Sequence, residues 1–329
     1  MPSPDSPWLA AMKTAVRDPA QLCRLLELPA GYESAAVRAA RSFALFAPRG
    51  YIARMKRGDP NDPLLRQVLP LAEELREVEG FSTDPVGDAP AALSPGLLGK
   101  YDGRVLLIAT GACAVHCRYC FRRHYAYSQG PRSAEEWGPA LAKIADDESI
   151  EEVLLSGGDP LTIRDDQLAE LAGRLAEIAH VRRMRIHTRL PIVIPERVTA
   201  ELITWLRGTR LVPIVVVHAN HPAELDGPVI AALARLVDAG IPVLNQAVLL
   251  RGVNDRVDTL AELCRRVVDA RVIPYYLHQL DRVAGAAHFE VPPSRGVELM
   301  RQLRSRLPGY AVPRYVREIA GEAGKSILM

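Results

Sequence analysis

The chain has 329 residues, and its 41 Lys and Arg against 39 Asp and Glu give a formal net charge of +2. Apolar residues make up 48% and charged residues 24%, which is typical of a soluble globular protein and gives no reason to expect a nucleic-acid partner. No apolar run reaches the roughly 18–20 residues that span a bilayer, and the N-terminus lacks the pattern of a secretory signal. We therefore expect a cytoplasmic protein without a membrane partner.

The first part of the chain has the apolar spacing of α-helices, which recurs between residues 5 and about 80. The segment Gly80–Gly99 is rich in Pro, Gly, Ala, Ser and Asp, a composition that predicts a linker or an ordered crossing loop. The sequence therefore predicts an N-terminal helical region with its linker over residues 1–95, followed by a second unit over residues 96–329.

From Arg104 onward, short β-branched runs alternate with segments of helical periodicity. The runs lie at Val105–Ala109, Val153–Leu155, Met184–Ile186, Val212–Val217, Val243–Leu249 and Val272–Tyr276. Between two of them, Asp165–Ala179 has apolar residues at the i, i+3 and i+4 positions of a helix. Six strand–helix units in succession predict a parallel sheet with right-handed crossovers. Because a closed barrel of this kind has eight units, we predict an α/β fold with a partial, open (β/α)6 barrel and an N-terminal helical extension.

Polar residues and glycines stand at the end of each predicted strand. They are Thr110-Gly111, Ser156-Gly157-Gly158-Asp159, His187-Thr188-Arg189, His218-Ala219-Asn220-His221, Asn245-Gln246 and His278-Gln279-Leu280-Asp281. Any one of these segments is also compatible with an ordinary strand-to-loop transition. Six in succession favour an active site, because the carboxyl ends of barrel strands form the catalytic face.

Three of the five cysteines fall within eight residues, as Cys113-x-x-x-Cys117-x-x-Cys120 directly after the first strand. Thiolates are soft ligands that suit iron–sulfur clusters and zinc. Three cysteines can hold three irons of a [4Fe–4S] cluster and leave the fourth iron open to an amine and a carboxylate. The alternative is a zinc knuckle with His116 or His124 as the fourth ligand, although zinc ligands usually come as two separated pairs.

This spacing, with Tyr119 before the last cysteine, resembles the radical S-adenosylmethionine superfamily. The resemblance narrows with CFRRH from Cys120, SGGDPL from Ser156, NQAVLLRGVND from Asn245 and PYY from Pro274. Together these segments are similar to lysine 2,3-aminomutases from about residue 50 to the end. The resemblance implies a [4Fe–4S] cluster that cleaves S-adenosylmethionine to a 5′-deoxyadenosyl radical, pyridoxal phosphate as a second cofactor, L-lysine as substrate, and an electron donor such as flavodoxin or ferredoxin.

The resemblance also implies which residues hold the cofactors. It gives the cluster to Cys113, Cys117 and Cys120, and places Ser156, Gly157, Gly158 and Asp159 beside the methionyl group of S-adenosylmethionine. Lys325 matches the Schiff-base lysine of the family and is the expected catalytic residue, although a lysine near a chain end is usually just solvated. Tyr101 and Arg104 match positions that hold pyridoxal phosphate, where a guanidinium suits the phosphate.

A lysine substrate needs a cation at its carboxylate and an anion at its distal ammonium. By resemblance, Arg122 pairs with the carboxylate, since a planar guanidinium binds two oxygens at once. Asp281 corresponds to a residue that meets the ammonium. Where free-lysine enzymes have a second aspartate, this chain has Glu318, which keeps the charge but is one methylene longer.

Two segments, Tyr276–Asp281 and Gly285–Phe289, look like the aminomutase that supplies β-lysine for modifying elongation factor P. So does the compact length, since free-lysine enzymes carry a longer C-terminal extension. We therefore expect an isomerase of that branch. The alternatives are a free-lysine 2,3-aminomutase of lysine metabolism, a zinc-bearing binding module, and a glutamate aminomutase, whose distal carboxylate would meet like charge at Asp281 and Glu318.

Overall fold

The structure, a computed structural model, describes residues 6–127 and 135–329. Within these ranges the α-helices are α1 (Pro7–Lys13), α2 (Pro19–Leu25), α3 (Tyr32–Ala39), α4 (Arg49–Ile52), α5 (Pro63–Arg66), α6 (Gly138–Ala145), α7 (Asp165–Glu177), α8 (Leu190–Val193), α9 (Ala200–Arg207), α10 (Gly227–Asp238), α11 (Val257–Asp269) and α12 (Pro293–Arg304). The strands are β1 (Ala92–Ser94), β2 (Leu97–Tyr101), β3 (Arg104–Thr110), β4 (Glu152–Gly157), β5 (Arg183–Thr188), β6 (Val212–Val217), β7 (Val243–Val248), β8 (Ile273–His278), β9 (Arg314–Arg317) and β10 (Ser326–Ile327). Short helices occupy the N-terminal region, as predicted, while the predicted start at residue 5 lies outside the described ranges.

The strands form one sheet in which each strand pairs with the next in the chain, from β1 at one edge to β10 at the other. Strands β3 to β9 are parallel, and β1, β2 and β10 run antiparallel to their neighbours. In the described residues β1 and β10 do not pair, so the sheet stays open. This confirms the predicted open α/β barrel, whose six predicted strands are β3 to β8. The parallel strand β9 extends the barrel beyond that prediction.

The predicted linker at Gly80–Gly99 is wrong in its second half, because β1 and β2 form a hairpin there. Leu97 and Leu98 are buried against β3, and Gly96 has a φ of +76° in the turn. Burial of two leucines outweighs the turn-rich composition around them. The division of the chain at residue 95 stays a prediction.

Alternation along the strands separates the core from the barrel interior. On β5, Met184 and Ile186 are buried in the hydrophobic core, while Arg185 and His187 line the central cavity. Successive strand side chains point to opposite faces of a sheet, so every second residue of a strand is available for chemistry. The polar side chains of β5 that point into the barrel therefore lie on the same cavity wall as the polar residues at the end of that strand.

The N-terminal helices share the main hydrophobic core with the barrel, from Trp8 to Tyr315. Arg54, which follows α4, donates from Nη1 to Glu224 O and from Nη2 to Ile192 O, each at 2.8 Å. These contacts attach the N-terminal region to segments that follow β5 and β6. Among the described residues, no helix is long and apolar enough to cross a membrane.

Candidate active site

A cavity of about 540 Å³ occupies the barrel interior and the carboxyl ends of the strands. All thirteen residues predicted from the sequence line it: Tyr101, Arg104, Cys113, Cys117, Cys120, Arg122, Ser156, Gly157, Gly158, Asp159, Asp281, Glu318 and Lys325. The structure thus brings together residues that are as many as 224 positions apart in the chain. The polar strand ends do not all belong to the cavity: Asn245 exchanges two hydrogen bonds with the backbone of Ala219 and connects β7 to the end of β6.

The three clustered thiols lie in the cysteine loop (residues 111–127), which follows β3. Burial raises the pKa of Cys120 to about 11 and raises the pKa of Cys113 well above its usual value, and the other thiols of the loop add to both shifts. Without a metal these two thiols are protonated at neutral pH. Iron binding therefore has to displace their protons, which makes cluster assembly pH-dependent.

The zinc alternative requires His116 or His124 as a ligand. His116 Nδ1 lies 2.9 Å from Ala44 O, and His124 Nε2 lies 3.0 Å from Ala284 O. Among the described residues, no group of three His, Cys, Asp or Glu side chains converges closely enough to hold a single metal ion. Three thiols on the wall of one cavity fit a [4Fe–4S] cluster with one open iron.

The N-terminal region holds the cysteine loop through backbone and ring contacts. The N–H of His116 donates to Phe46 O, and the N–H of Arg118 donates to Gln67 O, each at 2.9 Å. The His116 ring stacks on Phe43 with 5.3 Å between centroids. These contacts fix the backbone on both sides of Cys117, a role of the N-terminal region that the sequence did not indicate.

Glu74 compensates two arginines of the cysteine loop. It accepts hydrogen bonds from Arg118 Nε (2.9 Å) and Nη2 (2.6 Å), and from Arg123 Nη2 (2.8 Å). All three side chains are 0% exposed. Removing one partner from such a buried ion pair is strongly destabilising, since it leaves an uncompensated charge. The sequence did not indicate Glu74, because a single carboxylate in a short helical turn has no distinguishing local pattern.

Two glycines bring the end of β4 against the cysteine loop. Gly157 has a φ of +117°, and a Cβ added there would lie 2.5 Å from Thr110 O. A Cβ at Gly158 would lie 2.2 Å from Ala112 O. Both distances are too short for any side chain, so this approach of two backbones requires glycine. The pair forms part of the cavity wall beside the cysteines and fits a ligand that binds close to backbone.

Asp159 is engaged by the protein itself. Its Oδ1 accepts from Thr188 Oγ1 (2.7 Å), and its Oδ2 accepts from the N–H groups of Arg189 (2.7 Å) and Leu190 (3.1 Å). Burial raises the pKa of Asp159, and these hydrogen bonds oppose that shift. The side chain connects the end of β4 to the start of α8, and its predicted contact with S-adenosylmethionine stays a prediction.

Arg122 is 6% exposed and forms a salt bridge with Asp88. Its Nε donates to Asp88 Oδ2 (2.6 Å) and its Nη1 to Ser156 Oγ (3.2 Å), while Lys100 Nζ lies 2.7 Å from Asp88 Oδ1. Burial raises the pKa of Asp88, but the Arg122 guanidinium and the Lys100 ammonium outweigh it and hold that pKa below its usual range. Asp88 stood in the predicted linker and was missed.

Glu318 connects two of the predicted cofactor residues. Its carboxylate accepts hydrogen bonds from Tyr101 Oη (2.5 Å) and from Lys325 Nζ. Burial alone would raise the pKa of Glu318, but the Lys325 ammonium and the neighbouring donor groups together outweigh burial and hold that pKa below its usual value. The carboxylate is therefore charged. The Arg104 guanidinium lies 4.6 Å from the centre of the Tyr101 ring. Lys325, Tyr101 and Arg104 therefore form one group, which fits a cofactor that carries an aldehyde and a phosphate.

Asp281 is a carboxylate of the cavity with no hydrogen bond or ion pair from its side chain to any described residue. Burial raises its pKa to about 7; the Lys325 ammonium opposes this shift, and the Glu318 carboxylate adds to it. The Asp281 carboxyl is therefore free to interact with a ligand. A cationic ligand in the cavity would bind the ionised carboxylate and lower its pKa again.

Three histidines at strand ends contribute unpartnered ring nitrogens. His187, His218 and His278 line the cavity, and the buried Nε2 atom of each has no hydrogen-bond partner among the described residues. Burial lowers the pKa of all three, to about 4 for His218, so the rings are neutral near pH 7. These nitrogens are available to polar atoms of a bound molecule.

The radical SAM superfamily profile matches residues 107–204. The L-lysine 2,3-aminomutase of Escherichia coli (strain K12) is 46% identical over 322 residues, which cover 98% of this chain and 94% of that protein. The enzyme of the same name from Haemophilus influenzae is 43% identical over 97% of this chain and 95% of its own length, and that from Clostridium subterminale is 36% identical over 98% and 77%. The cavity and these full-length similarities agree, and the chain belongs to the lysine 2,3-aminomutase family of radical S-adenosylmethionine enzymes, isomerases that use a [4Fe–4S] cluster, S-adenosylmethionine and pyridoxal phosphate.

Proposed function

We propose that this enzyme moves the α-amino group of L-lysine from carbon 2 to carbon 3 and releases β-lysine. The observation that carries the proposal is the unpaired carboxylate of Asp281 in the same cavity as the three cluster cysteines and Lys325. A substrate with a distal ammonium satisfies that carboxylate, and an uncharged or acidic side chain does not. The names of the relatives, which specify L-lysine, support the same substrate.

The bound cofactors supply the chemistry of migration: a 5′-deoxyadenosyl radical that removes a hydrogen atom, and a pyridoxal group that carries the nitrogen. The residues of the chain bind and orient. We assign the covalent attachment of pyridoxal phosphate to Lys325 Nζ and its phosphate to Arg104. Tyr101 donates to Glu318 and thereby positions the carboxylate beside Lys325.

Arg122 is the proposed partner of the substrate carboxylate. Asp88 occupies its Nε edge, and Nη1 makes only a neutral contact with Ser156 Oγ. A substrate carboxylate that replaces the Ser156 contact converts a neutral hydrogen bond into a charge-assisted one, which is about twice as strong. Asp88 meanwhile keeps the guanidinium in place, so Arg122 is oriented before substrate arrives.

At the other end of lysine, Asp281 meets the distal ammonium. Glu318 is the second proposed carboxylate, and its charge is shared with Lys325 in the structure. A substrate ammonium near Glu318 would therefore share this carboxylate with Lys325. Asp281 and Glu318 together disfavour glutamate as substrate, because a distal carboxylate would face two anions.

The product is proposed to serve the modification of elongation factor P. The segments Tyr276–Asp281 and Gly285–Phe289, which resemble that branch, support this assignment over free-lysine metabolism. An electron donor such as flavodoxin or ferredoxin is the proposed physiological partner, since the cluster needs one electron for each cleavage. The cytoplasmic location stays a prediction.

The activity is tested with anaerobically reconstituted enzyme that contains the three cofactors and a chemical reductant. We expect L-lysine to give β-lysine by mass spectrometry of the derivatised product, with L-glutamate unchanged. β-Glutamate, or the absence of β-lysine from a preparation with full cluster and pyridoxal content, contradicts the proposal. For the pathway, deletion of the gene should remove the β-lysyl group from elongation factor P; an unchanged modification together with a defect in growth on lysine favours the metabolic alternative.

A further inference from the structure

Arg189 connects the end of β5 to one of the cluster cysteines. It lines the cavity, its side chain is 5% exposed, and its Nη1 lies 2.7 Å from Cys117 Sγ. Its Nη2 donates to Glu224 Oε1 (2.5 Å) and to Gln67 Oε1 (2.7 Å). The guanidinium therefore stands between a thiol that binds iron and a buried carboxylate.

The surroundings hold Arg189 in this orientation. Glu224 is 0% exposed and accepts further hydrogen bonds from Tyr51 Oη (3.0 Å) and from the N–H of Asn220 (2.6 Å). The N–H of Arg189 itself donates to Asp159 Oδ2 (2.7 Å). A side chain fixed at its backbone and at its far end loses little freedom when a ligand binds, so the contact with Cys117 is pre-organised.

One donor of the guanidinium is left over. Arg189 Nε is buried and has no hydrogen-bond partner among the described residues. Buried N–H groups are rarely left without an acceptor in folded proteins. Since Arg189 borders the cavity beside the cysteines, a sulfur-rich ligand held by those cysteines can supply the missing acceptor.

We propose that Arg189 is a positioning residue of the cluster: it donates a charge-assisted hydrogen bond to the Cys117 sulfur and raises the reduction potential of the bound [4Fe–4S] cluster. Reduction adds one electron from the external donor to the cluster, and Arg189 exchanges no proton in this step. A nearby cation and a hydrogen bond to a ligating sulfur both stabilise the reduced form, because it carries one more negative charge. This inference goes beyond the proposed lysine chemistry, since it concerns the cluster and holds whatever the substrate is.

A substitution at Glu224 tests the proposal through a change of the reduction potential in the opposite direction. Its carboxylate offsets part of the guanidinium charge, so Glu224→Gln should leave Arg189 more strongly positive and raise the potential. Replacing both partners, in R189M/E224Q, removes the cation without leaving a buried charge unpaired. This double variant should bind the cluster with a potential lower than that of the wild type.

A matched control lies elsewhere in the core. Arg197 is 0% exposed and pairs with Asp165 at 2.8 Å, in the same way as Arg189 pairs with Glu224, but it does not line the cavity. In R197M/D165N a buried ion pair is lost outside the lining of the cavity that contains the cysteines. We expect this variant to keep the wild-type potential.

The experiment is an anaerobic redox titration of each reconstituted holoenzyme without lysine, followed by electron paramagnetic resonance of the reduced cluster. Iron content and circular dichroism accompany it, so a potential is compared only between loaded, folded proteins. An increase for E224Q and a decrease for R189M/E224Q, with R197M/D165N unchanged, support the proposal. If E224Q, which leaves Arg189 buried without its anion, does not fold, R189M/E224Q decides alone, and a potential equal to or above that of the wild type then overturns the proposal. Equal potentials in the wild type and E224Q, or a decrease in E224Q, overturn the proposal, and neither outcome depends on whether lysine is the substrate.

Discussion

The two sides of the cavity differ in how their charges are matched. On the cysteine-loop side, Arg118 and Arg123 share Glu74, Arg122 pairs with Asp88, and Arg189 pairs with Glu224. On the opposite side, formed by β8 to β10 and the segments beside them, Glu318 pairs with Lys325, but among the described residues Asp281 has no side-chain partner and His278 Nε2 is buried without one.

The cysteine-loop side, with its paired charges, is the rigid side of the cavity, and the opposite side, with its unpartnered groups, is the binding side. A buried ion pair adds little net stability but holds one geometry, which suits a cluster with a fixed open iron. A buried polar group without a partner costs roughly 1–3 kcal/mol until a ligand satisfies it. The buried ring nitrogens of His187, His218 and His278 are groups of this kind, and together with the free Asp281 carboxylate they offer new contacts to substrate and cofactor.

The largest expected effect comes from removing the lysine on the binding side. Lys325→Ala should abolish turnover and the covalent attachment of pyridoxal phosphate, while iron stays at about four per chain because the cysteine side is untouched. Borohydride reduction and peptide mapping of the wild type should find the label on Lys325. Lys143→Ala, on the exposed face of α6, serves as the control and should behave as the wild type. A label on Lys100 or Lys143 contradicts the assignment.

On the rigid side, Glu74→Gln should lower the free energy of unfolding by about 3–5 kcal/mol, since it leaves Arg118 and Arg123 buried without their anion. Denaturant unfolding of the metal-free protein measures this change, and iron content after reconstitution should fall with it. Glu73→Gln changes an exposed carboxylate in the same turn and should stay within about 0.5 kcal/mol. Equal stability of the two variants would mean that Glu74 does not hold the loop.

The same division explains what the sequence could predict. The cysteine spacing, the Gly157–Gly158 pair and the polar strand ends are contiguous patterns, and β-branched runs with a helical rhythm between them predict a parallel barrel locally. All thirteen site residues that the family resemblance named line one cavity, whereas some of the polar strand ends, such as Asn245, do not.

The charges that hold the cysteine loop could not be predicted in this way. Glu74, Asp88 and Glu224 lie in segments with no motif, and their arginine partners are 34 to 49 positions away. Only the tertiary fold decides which carboxylate faces which arginine. Strand β9 could not be predicted from the sequence for a related reason. Its two buried residues between arginines are too short a pattern to distinguish a strand from a loop.

On the binding side, Asp281→Asn should leave cluster and pyridoxal content intact and lower kcat/KM for lysine about ten- to a hundred-fold. The loss corresponds to a hydrogen bond to a charged group, roughly 1.5–3 kcal/mol. Glu290→Gln is the matched control, because that carboxylate lies a few residues further along the chain and pairs with the exposed Arg282 outside the cavity. Unchanged kinetics in Asp281→Asn would exclude contact between Asp281 and the substrate.

The smallest expected effect is the pH dependence that Asp281, on the binding side, gives to activity and stability. Because the pKa of Asp281 is about 7 in the folded protein, its carboxyl is largely ionised at pH 8 and largely protonated at pH 6. The lysine ammonium keeps its charge over this range, so kcat/KM, which reports groups of the free enzyme, should fall about tenfold from pH 8 to pH 6. The free energy of unfolding changes with pH in the opposite direction to kcat/KM. Between about pH 4 and pH 7 the folded state binds more protons at Asp281 than the unfolded state does. This group therefore makes the substrate-free protein less stable as pH rises through that window. Asp281→Asn should flatten both profiles, whereas Glu290→Gln should keep them. A decline in kcat/KM that persists unchanged in Asp281→Asn would assign the titration to another group.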